Sequence, residues 1–300
     1  VALLAASAAL LVLLWPGRAV PVDAWLPAAG LTPLRARVGA DEIRYVRKGS
    51  GPPVLLVHGI ASSIYTWKDV LPDLARRHEV VALDLPGFGG SSQPPDLSLA
   101  RLPAAVIGLA DHLGLERFAL VGHSLGGAVS TLVAARQPGR VERLVLIDAA
   151  GYNQAPGQRP WLLRLIASPA GAPLEALPAP PRWLVWLGLR QVFEDDSRVD
   201  AARVDAYAAP AARPGAAAAM RALLGSDPGA DFAAEARAVR APTLVIWGAA
   251  DRWTPVEHAE RFRRDVAGAR VEVLPGSGHM PQEERPEDVR RLLREFLAER

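Results

Sequence analysis

Six short apolar runs punctuate the chain, each ending in polar or glycine residues: 54–57, 80–83, 118–121, 144–147, 243–247 and 271–274. Short continuous runs of this kind are the pattern of strands buried on both faces. Ile43, Tyr45 and Val46 suggest a further strand, closed by the turn residues Lys48-Gly49-Ser50-Gly51-Pro52-Pro53. Apolar residues at helical period follow several of these runs. Helices are predicted over 102–113, with Gly114 placed to stop the first of them, and over 125–136 and 288–297. Strand and helix in alternation predict an α/β chain with a doubly wound, mostly parallel sheet.

The alternation stops between 151 and 240. That stretch is rich in Ala, Pro and Arg and carries Trp161, Trp183 and Trp186 in apolar surroundings. Short helices are expected over 161–166, 182–190 and 216–224, and no strand. The organisation expected is a core of residues 41–150 and 241–300, interrupted by a helical cap of residues 151–240. Ahead of the core, residues 1–15 are uncharged and almost wholly apolar, and residues 20–40 are Pro- and Ala-rich. Residues 1–40 are therefore expected to be a hydrophobic anchor or signal segment with a linker. Fifteen apolar residues fall short of the roughly 20 that cross a bilayer as a helix, and a buried helix is the alternative. A membrane-anchored or exported protein is the expectation, through association of residues 1–15 with a membrane, and a cytoplasmic one otherwise.

Composition narrows the chemistry. Half of the 300 residues are hydrophobic, which is too apolar for disorder and enough for a full core. With no cysteine there is no disulfide framework, no thiolate nucleophile and no Cys-ligated zinc. Lys plus Arg number 34 against 32 Asp plus Glu, so there is no charge surplus to hold nucleic acid.

The sharpest motif is Gly122-His123-Ser124-Leu125-Gly126, a G-x-S-x-G match between a predicted strand and a predicted helix. That setting is what a nucleophile elbow requires: small flanking residues allow a sharp turn that lifts the Ser124 hydroxyl off the sheet. A serine needs a base, and His279 follows the last predicted strand in a Gly-rich loop ending at Met280. His78, His112 and His258 lie in polar helical surroundings and are expected to be solvated. Asp251, just past 243–247, is the favoured acid partner, with Asp84 and Asp148 as rivals at similar strand ends. The order Ser124, Asp251, His279 along the chain fits one known triad arrangement, although Asp148 also precedes His279. The oxyanion donors expected are the backbone N–H groups of Leu125 and of Ile60, the latter following His58-Gly59 after 54–57. His58, His123, Trp161, Trp183 and Met280 are candidate pocket residues, with His58 also read as an anchor for its loop.

His58-Gly59 with Trp67, Asp84-Leu85-Pro86-Gly87-Phe88-Gly89-Gly90-Ser91, the elbow, Trp247-Gly248-Ala249-Ala250-Asp251 and Gly278-His279 together resemble the α/β-hydrolase superfamily, in its cap-bearing branch. The resemblance covers about 42–300 except the cap. It implies a Ser–Asp–His triad and neither a metal nor an organic cofactor. Within the superfamily, haloalkane dehalogenases and epoxide hydrolases carry aspartate where Ser124 stands, which argues against both. What remains is a serine hydrolase taking a small-molecule ester substrate, small or lipid-like and apolar. The alternatives are a C–C bond hydrolase of meta-cleavage-type products and a non-catalytic binding module of the same fold.

Overall fold

A computed structural model describes residues 20–152, 160–170, 179–225 and 231–299. Eight strands form one sheet: β1 (Leu34–Val38), β2 (Asp41–Lys48), β3 (Pro53–Val57), β4 (Glu79–Leu83), β5 (Phe118–His123), β6 (Val141–Ile147), β7 (Thr243–Gly248) and β8 (Arg270–Leu274). Their spatial order is β1-β2-β4-β3-β5-β6-β7-β8. β1 pairs with β2, and β2 with β4, in antiparallel fashion, and the rest of the sheet is parallel. This is the doubly wound, mostly parallel sheet expected.

The continuous apolar runs are explained by two cores. On one face Leu55, Val57, Leu120, Leu144, Leu146, Val245 and Trp247 pack with the helices α2 (Leu102–His112), α3 (Leu125–Arg136) and α9 (Glu257–Asp265). On the other, Val54, Leu56, Ala119, Val121, Val145, Ile147, Leu244 and Ile246 meet α1 (Leu71–Leu74) and α11 (Pro286–Ala298). Neighbours along a strand point to opposite faces, so burial of both faces leaves no polar position in the middle. Helix α11 presents Val289, Leu292, Leu293 and Phe296 to its core, the i, i+3, i+4, i+7 stripe of an amphipathic helix. Strand β8 departs from the expectation of full burial. It is an edge strand, and Val273 stands 44% exposed.

Between β6 and β7 the described residues hold helices α4 (Trp161–Ala167), α5 (Arg182–Val192), α6 (Ala201–Ala211), α7 (Ala216–Gly225) and α8 (Phe232–Ala238), and no strand. Two of these, α6 and α8, are not among the helices read from the sequence. Helix α8 joins the layer that flanks the sheet: Arg136 of α3 donates to Glu235, and Phe232 packs edge-on to Tyr152. A short helix α10 (Pro281–Glu284) follows the loop that carries His279.

Residues 20–40 are more than a linker. Leu34–Val38 is β1, paired along its length with β2. Leu26 and Leu31 are buried against α11's core, Trp25 stacks edge-on to Tyr65, and Asp23 pairs with the buried Arg44. Residues 1–15 lie outside the described residues. Among the described residues no helix is long and apolar enough to cross a membrane.

Candidate active site

The elbow is a left-handed turn at a residue with a side chain. Ser124 has φ 51° and ψ −118°, between the last residue of β5 and the first of α3. Such a backbone costs of order 1–3 kcal/mol and persists only where its surroundings hold it. Here the Ser124 N–H donates to the Ile147 carbonyl at 3.0 Å, and its carbonyl accepts from Gly127, Ala128 and Ala150. The approach of neighbouring chain dictates glycine on the far side: a Cβ at Gly126 would lie 2.2 Å from the Val57 carbonyl oxygen. Gly59 is equally confined, since its Cβ would come within 3.0 Å of both His123 and Ser124. The β3 loop is thereby laid directly against the elbow. Leu125 sits at the first position of α3, where its N–H has no intrahelical acceptor. Among the described residues the Ile60 N–H donates to no backbone carbonyl.

The structure brings together three side chains from three loops. Ser124 Oγ stands 2.9 Å from His279 Nε2, and His279 Nδ1 stands 2.7 Å from Asp251 Oδ2. All three are buried to within a tenth of their surface. Asp251 also accepts from the N–H groups of Trp253 at 2.7 Å and Thr254 at 3.0 Å, and from the Thr254 hydroxyl. Burial alone would raise the Asp251 carboxyl. The His279 imidazole and the hydrogen bonds from His279, Asp148 and Thr254 outweigh it and hold the group below the usual carboxylate range.

Of the two rival acids, Asp84 serves another purpose. It pairs with Arg44 and accepts from the N–H of Ile64 at 2.7 Å and of Gly90 at 2.6 Å, fixing the loop after β4. Asp148 belongs to the site's second layer. It accepts from the Gly248 N–H at 2.9 Å and lies beside Asp251, with ligand atoms of Asp148, Asp251 and His279 all within 4.8 Å. Burial first, and the Asp251 charge next, push its carboxyl well above the ordinary value. Two carboxyls this close titrate together, and of the pair Asp148 is the one whose surroundings favour the protonated form.

His123 lines the cavity and positions rather than titrates. Burial and the neighbouring His279 lower it to about 3, so it is a neutral imidazole whose Nε2–H donates to the His279 carbonyl at 2.7 Å. His58 stands away from the cavity, fully buried, where its Nε2 accepts from the Leu85 N–H at 3.0 Å as a loop anchor. His258 is also buried, packed edge-on to Tyr152, because α9 turns it inward rather than to solvent. Met280 is buried against the cavity. Trp161 and Trp183 are not: they stand 44% and 47% exposed on the outer faces of α4 and α5. Their neighbours Leu162, Leu163, Leu184 and Val185 face inward instead.

The cavity over Ser124 has a volume of about 890 Å³ including its mouth. It is walled by Ile60, Leu162, Leu189, Val192, Trp253 and Met280 around Ser124 and His279. No Asp, Glu, Lys or Arg lines it among the described residues.

The inserted helices are tied to the His279 loop by groups that the sequence did not single out. Glu284 accepts from the N–H of Gly278 at 2.8 Å and, on its other oxygen, from Glu194 at 2.7 Å and Asp195 at 3.3 Å. Its neighbour Glu283 is buried and pairs with Arg203 at 2.9 Å, with Tyr207 and Thr66 as further donors. Consecutive glutamates opening a short helix read as a solvated face; only long-range pairing makes them interior groups.

Comparison with known proteins places the chain in a family. The family described as alpha/beta hydrolase fold matches residues 52–286. A dihydrolipoyllysine-residue acetyltransferase component of an acetoin cleaving system from Pseudomonas putida is 34% identical over 292 residues, covering 90% of this chain and 70% of that protein. A 2-hydroxy-6-oxo-2,4-heptadienoate hydrolase, also from Pseudomonas putida, is 30% identical over 265 residues, covering 83% of this chain and 90% of its own. Among solved structures, a membrane phospholipase A described as a bacterial virulence factor superposes with TM-score 0.71 at 30% identity, covering 99% of this chain and 96% of that one.

Proposed function

The chain belongs to the alpha/beta hydrolase fold family, and from that membership we propose that it is a serine hydrolase cleaving carboxylic esters of apolar substrates through an acyl-enzyme. One observation carries the reading: Ser124 Oγ, His279 and Asp251 form a continuous hydrogen-bonded line inside an apolar cavity. His279 Nε2 takes the Ser124 proton as the oxygen attacks the ester carbonyl carbon. Asp251 holds the imidazole with Nδ1 protonated and stabilises its charged form. The Leu125 and Ile60 N–H groups receive the oxyanion, and one such donor is typically worth about 2.7–4 kcal/mol. His279 then returns the proton to the leaving alcohol. Water, activated by the same imidazole, releases the acid and restores Ser124. The helices between β6 and β7 act as the cap, supplying the apolar walls.

The wall chemistry favours esters over the dienoate cleaved by a C–C hydrolase. A dienoate brings a carboxylate, and a carboxylate in an apolar cavity needs a cation. No Lys or Arg lines this cavity among the described residues. The similarity to a membrane phospholipase A supports a lipid-like ester.

A fluorophosphonate probe tests the reading, because its reaction requires nucleophile, base and oxyanion hole together. Stoichiometric labelling that maps to Ser124 and disappears in Ser124→Ala is the expected result. A wild-type protein that neither labels nor turns over p-nitrophenyl esters would be a binding module instead.

A further inference from the structure

The loop that carries Ile60 has little main-chain support of its own. Ahead of Ile60, Gly59 is pressed against His123 and Ser124. Behind it, Ala61 takes a left-handed backbone, φ 54°, uncommon for a residue with a side chain and kept only where its surroundings hold it. Among the described residues the N–H groups of Ala61, Ser62 and Ser63 donate to no backbone carbonyl. The first anchor beyond Ile60 is the N–H of Ile64, which donates to Asp84 at 2.7 Å and opens the 3₁₀ turn Ile64–Trp67. What fixes Asp84 and that turn therefore fixes the far end of the loop.

Two side chains of the arm ahead of β1 reach this anchor by separate routes. Asp23 pairs with the buried Arg44, and Arg44 pairs in turn with the fully buried Asp84. Trp25 stacks edge-on to Tyr65, with ring centroids 5.3 Å apart. Ile64 and Tyr65 are adjacent, so contacts two residues apart on the arm end on neighbouring residues of one turn. Charge gives Asp23 its weight. Arg213, just past α6, donates to the carbonyls of Gly89 at 2.9 Å and Ser91 at 2.5 Å, which brings a second guanidinium to the loop after β4. Burial, then the like charges of Arg35 and Arg44, lower the Arg213 guanidinium, and Asp84 and Asp23 oppose them. Without Asp23, Arg44 would keep one carboxylate, Asp84, which must also hold the N–H groups of Ile64 and Gly90. A buried cation short of a partner draws the remaining one towards itself.

We propose that Asp23 and Trp25 are positioning residues for the Ile60 oxyanion donor, acting through Arg44, Asp84 and Ile64 on one route and through Tyr65 on the other. Neither lines the cavity over Ser124, and both lie ahead of the residues that the family description matches. The catalytic consequence rests on the ester-hydrolase reading, whereas the bracing itself is read without turnover.

The test uses the full chain with Asp23→Asn, Asp23→Glu and Trp25→Leu. Amide hydrogen exchange, followed by mass spectrometry on peptides spanning residues 60–67, should quicken about tenfold in Asp23→Asn and in Trp25→Leu, with peptides from β6 and β7 unchanged. Asp23→Glu keeps the carboxylate and should stay within about twofold of the parent. On p-nitrophenyl acetate, kcat of Asp23→Asn should fall about tenfold while KM changes less than about twofold, since the oxyanion donor acts on the charge of the transition state. A purely structural contact would lower the unfolding temperature and leave kcat of the folded protein alone. Unchanged exchange over 60–67 in both Asp23→Asn and Trp25→Leu overturns the proposal, as does faster exchange spread evenly over the sheet. A loosened loop with unchanged kcat overturns it as well. Local loosening in a protein whose parent turns over no ester would remove the hydrolase reading and leave the bracing standing.

Discussion

The backbone N–H of His279 donates to the carbonyl of Val192 at 2.7 Å, a main-chain bond between the loop that carries the imidazole and the last residue of α5. Glu284 doubles the connection, bonding Gly278 on one side and Glu194 and Asp195 on the other. The inserted helices and the imidazole are therefore registered to each other through two adjacent links.

Glu284→Ala is expected to loosen both at once. It strips the acceptor from three backbone N–H groups, two of them in the insert, and the buried one, that of Gly278, costs about 1–3 kcal/mol when left without a partner. Urea unfolding should show a loss of about 2–4 kcal/mol. The rate constant kcat on p-nitrophenyl acetate should fall roughly ten- to a hundredfold, as small misplacements of a catalytic group do. Glu284→Gln should lie between, because its single carbonyl oxygen can serve one side of the link only. Equal effects of Ala and Gln would refute the bridging role.

Asp251→Asn should leave the fold intact and lower kcat by about 10³–10⁴-fold, the scale seen when a triad histidine is held in the wrong tautomer. The amide retains an acceptor for the Trp253 and Thr254 N–H groups, so thermal unfolding should change little while turnover collapses. Preserved turnover in this variant would point to Asp148 as the working acid.

Asp148→Asn should change how stability depends on pH. The Asp148 carboxyl is raised well above its ordinary value of 3.8 in the folded protein. Below that value both states are protonated and the stabilisation from the neutral carboxyl is complete. Between it and the raised folded value the folded protein keeps a proton that the unfolded chain has released, so stability is lost as pH climbs through the window. Asn has no proton to release, and its amide can donate to Asp251 in place of the acid. The variant's stability relative to the parent should therefore rise steadily with pH above about 4. Asp251, held low in the fold, contributes the opposite trend, gained as pH rises towards the unfolded value and complete above it. Unfolding curves at a series of pH values decide the matter, and parallel profiles would place the shared proton elsewhere.

Gly126→Ala should damage the elbow. Its Cβ would meet the Val57 carbonyl oxygen at 2.2 Å, which forces β3's end and the loop bearing Ile60 away from Ser124. Overpacking of this kind costs typically about 1–3 kcal/mol. Displacing the Ile60 donor should add a fall in kcat of up to about 10²–10³-fold. Fluorophosphonate labelling rates read the second effect independently of stability.

Strand pattern and motifs made the sheet and the candidate residues Ser124, Asp251 and His279 readable because each strand and each motif is local, although the three side chains meet across as many as 155 positions. A strand buried on two faces writes an unbroken apolar run, and an elbow demands small residues at fixed spacing. Strand β1 was hidden because it is an edge strand of five residues with two arginines pointing outward, set in Pro- and Ala-rich sequence. Trp161 and Trp183 misled because hydrophobicity says that a helix has an apolar face without saying which residues occupy the inner one. In α4 and α5 the leucines and a valine take the inner positions and the large rings remain outside. His258 differs for the mirror reason: Glu257 and Glu260 of α9 face solvent while the imidazole packs edge-on to Tyr152. Glu283, Glu284 and the protonated state of Asp148 depend on residues 80 or more positions away, and no window of sequence contains such partners.

The residues ahead of the first motif set the true extent of the folded unit. A chain cut back to Thr32 would keep Ser124, Asp251, His279 and the whole family-matched region. It would also uncover the apolar surface that Leu26 and Leu31 close, and take from Arg44 one of its two carboxylates. The same cut would remove Trp25 from Tyr65, whose other edge contact is Tyr207 in the wall of the cavity over Ser124. The packed unit thus reaches further forward than the residues that the family description matches.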